Sequence, residues 1–224
     1  MINLILKDIM VLKKTLLFCA IYPAIFIFAF QSTGSAMLPA SIAAVTYILV
    51  LTASAYDDKN KSDILLNSLP IGRNQVVLSR YLSIYVFSAI GIIYYMVFYI
   101  LINISGLPLK VYPITSEGII AALFSVTLLN SIYFPILFKM GYIKSKMVNF
   151  ILFFSLFFGV SAVSGLLENK PGNGTAKSKF LESITRFFNS LSNVQITIGI
   201  IIIMFIMFLI SYMLSKKFYK NREF

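Results

Sequence analysis

The chain has 224 residues, of which 59% are hydrophobic and only 12% charged, and that is too little polar surface for a water-soluble globule. Its net charge of +11 comes from 19 basic residues scattered among short gaps; they form no single patch, which argues against nucleic acid as a partner. One cysteine, no histidine and no suitably spaced carboxylates leave no internal disulfide, metal site or acid–base pair to build. The nucleotide-binding pattern G-x-x-x-x-G-K-[ST] is also missing, so ATP hydrolysis by that machinery needs another polypeptide.

At the start of the chain, Ile2, Ile5, Leu6, Ile9 and Leu12 recur at helical spacing, while Asn3, Lys7, Asp8 and Lys14 occupy much of the rest. This predicts an amphipathic helix over residues 1–14, too short to cross a membrane and lying in its interface. Six runs without Asp, Glu, Lys or Arg follow: Thr15–Phe30, Ala36–Ala55, Tyr81–Ile104, Gly118–Phe138, Met147–Leu167 and Gln195–Leu214. Each reaches or nearly reaches the length that crosses a hydrocarbon core of about 30 Å at about 1.5 Å per residue. The predicted fold is therefore all-α: a polytopic membrane protein with six transmembrane helices in one domain over 1–224.

The basic start, the first apolar run and the small residues Ser32–Ala36 resemble a cleaved signal peptide. Cleavage would leave five spans and put the two basic ends on opposite sides, so a retained first span is the expectation. Cys19 follows Phe18, where a lipoprotein signal would carry a small residue, and reads as a small apolar side chain within a span.

Short loops rich in Lys and Arg stay cytoplasmic. Fourteen basic residues fall on one side: Lys7, Lys13, Lys14, Lys59, Lys61, Arg73, Arg80, Lys139, Lys144, Lys146, Lys216, Lys217, Lys220 and Arg222. Five fall on the other: Lys110, Lys170, Lys177, Lys179 and Arg186. Both termini are accordingly expected in the cytoplasm. The second span is lined by Ala36, Ala40, Ala43, Ala44, Ala53, Ser54 and Ala55, and the fifth carries Ser155, Gly159, Ser161 and Gly165; such small residues mark close helix contact in lipid.

The gap over 56–80 is the most informative. Tyr56-Asp57-Asp58-Lys59-Asn60-Lys61 is too polar for lipid, and Ser62-Asp63 suits a helix start. A short helix with Ile64, Leu65, Leu66 and Leu69 follows, ended by Pro70; Gly72 permits a turn before Arg73-Asn74-Gln75 opens the third span. Such a helix either rests its leucines in the bilayer interface or docks a cytoplasmic partner. In the gap over 168–194, Phe180, Leu181, Ile184, Phe187, Phe188 and Leu191 fall on one helical face, which predicts an extracellular amphipathic helix.

Within the spans, the polar side chains are Tyr94, Tyr95, Tyr99, Ser125, Thr127, Asn130, Ser131, Tyr133, Asn149 and Ser155, which read first as hydrogen-bonding glue between helices. Pro135 is expected to kink the fourth span. Ion-driven carriers place Asp, Glu or His near mid-membrane; their lack here favours a passive pore or a permease driven by a separate motor.

Tyr56–Asp63, then Asn67-Ser68-Leu69-Pro70-Ile71-Gly72-Arg73 and Val77-Leu78-Ser79-Arg80-Tyr81-Leu82, resemble the first cytoplasmic loop of the bacterial ABC-2 family of transporter permeases. The chain is most similar to the compact six-span kind found in Firmicutes, which includes the permease subunits of the staphylococcal exporter of phenol-soluble modulins. The resemblance implies that the loop carries a coupling helix set into a cleft of an ABC-type ATPase subunit, with Asp63, Leu65, Leu66, Leu69 and Pro70 facing it. It further implies no enzyme activity or cofactor in this chain, ATP and Mg on the ATPase, a second permease copy or a related permease as partner, and the bacterial cell membrane as location. Export of amphipathic peptides or antimicrobial compounds is the expected task; a non-transporting immunity or sensor subunit and a channel are the alternatives.

Overall fold

The computed structural model describes residues 2–31, 34–68, 72–106, 108–168 and 192–221. Among these it has nine helices and no strand: α1 (Ile2–Val11), α2 (Lys13–Cys19), α3 (Ile21–Ala29), α4 (Gly34–Lys59), α5 (Ser62–Ser68), α6 (Arg73–Ser105), α7 (Ser116–Met140), α8 (Tyr142–Glu168) and α9 (Asn193–Lys220). All six apolar runs lie in helices. Four helical segments are long and apolar enough to cross a membrane, namely Gly34–Lys59, Arg73–Ser105, Ser116–Met140 and Val194–Lys220. The bent pair of Asn3–Val11 and Lys13–Ala29 makes a fifth if it counts as one span. Length and apolar composition define a multi-pass membrane protein.

The first run differs from one regular helix. A bend of 66° separates Asn3–Val11 from Lys13–Ala29, setting the amphipathic α1 at a steep angle to the apolar segment. The helix is interrupted again at Ala20. Pro23 is the reason: it has no N–H to offer the Cys19 carbonyl four residues back.

Helix α4 is the axis of the bundle. Its residues Ala40 through Thr46 are buried without a break, so every side of the helix is covered, and it touches α1, α2, α3, α5, α6, α7 and α8. The alanine pattern made this possible, since small side chains let neighbouring backbones approach. Gly91 of α6 sits so close that a Cβ there would lie 3.4 Å from the Ile42 Cα. Helix α9 packs on α7 and α6, leaving Ile198, Ile202, Phe205, Leu209 and Met213 exposed along its outer side.

Helix ends follow local chemistry. Thr115 caps α7, its Oγ accepting from the Gly118 N–H at 3.1 Å, with Glu117 in the first turn where the helix dipole favours an anion. Ser192 and Gln195 form a reciprocal capping box at the start of α9. Helix α7 runs on through Pro135, which frees the Ser131 carbonyl. Ser211 of α9 donates to that carbonyl at 2.7 Å, so a neighbouring hydroxyl satisfies the group that proline orphans.

Both ends of the described chain lie on one face. Lys7 near the N-terminus bonds Asp57 at the end of α4, and Arg73 at the start of α6 donates to the Lys220 carbonyl at the end of α9. We call this the terminal face. On the opposite face, residues 108–115 fold over the ends of α3 and α4: Tyr95 donates to the Tyr112 carbonyl at 2.9 Å, the Lys110 N–H to Gln31 Oε1 at 3.0 Å, and the Tyr112 ring covers Gly34.

Candidate functional site at the terminal face

Helix α6 has 33 residues, about 50 Å at about 1.5 Å per residue, against a hydrocarbon core of about 30 Å. Helix α4 likewise continues past its apolar run to Lys59. The polar stretch 56–59 expected as loop is thus helix, because the span's hydrogen-bond ladder propagates past the apolar boundary at little cost. Lys61, in the left-handed region at φ 48°, turns the chain into α5. The short helix therefore lies along the chain between two helical arms, α4 and α6, and packs on the first.

Of the residues expected to face a partner, Leu65 is 63% exposed, whereas Leu66 is 8% exposed and packs into the core. Asp63 lies in the first turn of α5, and Leu69 and Pro70 lie outside the described residues. The outer stripe of Phe180, Leu181, Ile184, Phe187, Phe188 and Leu191 also falls outside them. The leucines of one helix thus divide their work: Leu66 seats the helix, and Leu65 is presented outward.

What anchors the arms is a cluster of four charges from three elements. Arg80 of α6 reaches Asp8 of α1, with Nη1 3.0 Å from Oδ2, and pairs through Nη2 with Asp57 of α4. Lys7 completes the ring, its Nζ 2.9 Å from Asp57 Oδ1 and 3.3 Å from Asp8 Oδ1. Ser83 donates to Asp8 at 3.3 Å. Asp8 is only 5% exposed. Two cations against two anions neutralise the cluster, which is the condition for burying such groups.

Two cavities flank the Asp57 carboxylate. One, of about 180 Å³, lies between α1, α4 and α5 and is lined by Val11, Tyr56 and Leu65 among others. The other, of about 40 Å³, lies between α4, α6, α7 and α8 beside Ser54, Asp58, Arg80 and Tyr142. The consecutive acids at the end of α4 consequently serve different neighbours. Asp57 joins α1 and α6, while Asp58 lies toward α8; burial pushes the Tyr142 phenol's pKa up, and the Asp58 carboxylate adds to it.

One residue beyond Arg80, Tyr81 is 1% exposed, with its hydroxyl 2.5 Å from Ser211 Oγ and 2.7 Å from Ser215 Oγ. Its ring packs against Phe134, Phe208 and Tyr212. Many of the polar side chains inside the spans bond their own helix: Ser125 to Ala121, Thr127 to Leu123, Asn130 to Val126 and Ser155 to Leu152. Tyr94 instead donates across to the Leu16 carbonyl at 3.1 Å.

Sequence reasoning placed Lys7 and Asp8 on a polar helix face and missed that they pair with Asp57 and Arg80. No local signal gives the pairing, because the partners lie 50 and 72 residues away.

Long apolar helices and buried small-residue contacts define a polytopic membrane protein. Residues 3–220 match the model of the ABC-2 family transporter protein, and the chain belongs to that family. The family is a membrane transport component, not a catalyst, and generally partners with ABC ATPase subunits. Nothing among curated proteins or solved structures matches the chain.

Proposed function

We propose that this chain is the membrane-spanning permease subunit of an ATP-driven exporter, with a separate ATPase docking on α5. The observation that carries this reading is Leu65: a 63% exposed leucine on a short helix that buried Leu66 seats in the core and that packs on the ion-paired end of α4. A purely interfacial helix has no need of rigid mounting. Leu65 is the central contact, Asp63, Leu69 and Pro70 are the further contacts that the family resemblance implies, and Leu66 seats the helix in the core.

Six spans follow if α1 lies in the interface, α2 and α3 form one crossing, and α4, α6, α7, α8 and α9 form the rest. An even count is what a chain with both ends on one face requires. The exposed lysines of the terminal face, Lys13, Lys14, Lys59, Lys61, Lys144, Lys146, Lys216 and Lys217 among them, make it the cytoplasmic side. Six helices are few for a translocation path, so a second permease copy or a related subunit completes it. The stripe from Phe180 to Leu191 is then an outer helix that closes the far end of the path. Spans rich in Phe, Tyr and Met suit amphipathic peptides or similar antimicrobial compounds.

The test is purification of the tagged chain from its native membranes in mild detergent. A vanadate-sensitive ATPase is expected to co-purify and to be lost with Leu65→Asp while the permease still inserts. Equal ATPase recovery with that variant would remove α5 as the docking element.

A further inference from the structure

Arg80 and Tyr81 are consecutive on α6 yet reach opposite sides of the bundle. The Arg80 guanidinium holds Asp8 of α1 and Asp57 of α4. The Tyr81 hydroxyl holds Ser211 and Ser215 of α9, and Ser211 in turn donates to the Ser131 carbonyl of α7. One step of helix α6 thus bonds directly to three helices and, through one serine, to a fourth. The last contact lands on the one carbonyl of α7 that Pro135 has released from the helix ladder.

We propose that Arg80 and Tyr81 are the positioning residues through which a displacement of α5 spreads into the bundle, with α7 yielding at Pro135. The inference rests on reading α5 as the docking helix. Its physical content is that α5 packs on α4, whose Asp57 pairs with Arg80, so a displacement of α5 reaches Arg80 through α4 and moves Tyr81, the next residue of α6, with it. Arg80 carries α1 along through Asp8. Tyr81 shifts Ser211, and the carbonyl of Ser131 gains or loses its only donor from outside α7 among the described residues. A helix at a proline has one fewer ladder bond to break, so α7 bends there first.

Amide hydrogen exchange of the purified permease tests the node without an ATPase. Ser211→Ala is expected to speed exchange in α7 over residues 131–137 by about two- to tenfold, the effect of losing one hydrogen bond. Pro135→Ala returns a backbone donor to Ser131, so in that background Ser211→Ala should leave α7 exchange unchanged. Coupling between two sites is reciprocal. Ser211→Ala should accordingly also loosen α1, and Asp8→Asn should loosen α7 as well as α1. Should Asp8→Asn fail to fold, the Ser211→Ala and Pro135→Ala pair decides alone. Responses confined to α7 and α9, or equal effects of Ser211→Ala with and without Pro135, overturn the proposal. ATPase recovery with Leu65→Asp is read separately, so loss of the node and loss of the docking helix give different results.

Discussion

At the scale of single residues, the charges of the terminal face differ in what they hold. The Arg80 side chain is 13% exposed and faces two carboxylates, so Arg80→Gln leaves the buried Asp8 and the partly buried Asp57 as neighbours of like charge. The expected loss is on the order of 3–5 kcal/mol, the range for breaking a buried pair from one side. The Lys7 side chain is 33% exposed, and water takes over much of its role; Lys7→Gln should cost at most about 1 kcal/mol. Thermal unfolding in detergent compares the two, and equal costs would mean that the cluster is solvated throughout. Neither rank follows from the sequence, where both residues are cations outside the apolar runs.

At the scale of elements, α5 separates seating from presentation. Leu66→Asp puts a charge into the packed side and should disturb the loop from within, lowering stability by about 2–5 kcal/mol. Leu65→Asp changes only an exposed position and should leave unfolding within about 0.5 kcal/mol of the parent while abolishing ATPase recovery. A large stability loss with Leu65→Asp would mean that α5 is seated the other way round. The contact of α4 with α6 is a second element-scale case. Alanine at Gly91 meets Ile42 at ordinary contact distance and should be accepted, whereas Gly91→Leu must part the helices, at about 1–3 kcal/mol. Retained stability with leucine would show that the two helices separate freely.

The scale of the whole molecule concerns sidedness and the outer gap. In a Cys19→Ala background, cysteines at Asn60 and Lys144, both exposed on the terminal face, should resist an impermeant thiol reagent in whole cells. One at Lys110 on the opposite face should label. Labelling at position 60 from outside would invert the topology. Outer closure predicts that Phe187→Ser with Phe188→Ser alters export or its ATPase coupling while assembly persists. Unaltered peptide-stimulated ATPase in a reconstituted complex would leave the stripe resting in lipid.

What was legible in the sequence is what neighbours along the chain decide. The six apolar runs became helices because hydrocarbon demands internal hydrogen bonding. The loop 56–80 became a short helix between two helical arms because start and turn signals such as Ser62 and Gly72 act within a few residues of themselves. The buried alanines of α4 were readable for the same reason, as a property of one helix surface. The tertiary structure alone decided that Asp8 meets Arg80 across 72 residues and that Ser211 meets Ser131 across 80. It also decided which of two adjacent leucines points outward. A periodic pattern fixes the angular position of a side chain on its own helix but leaves open the rotation and vertical offset of one helix against another. The ion cluster and the hydroxyl relay exist only at one such setting.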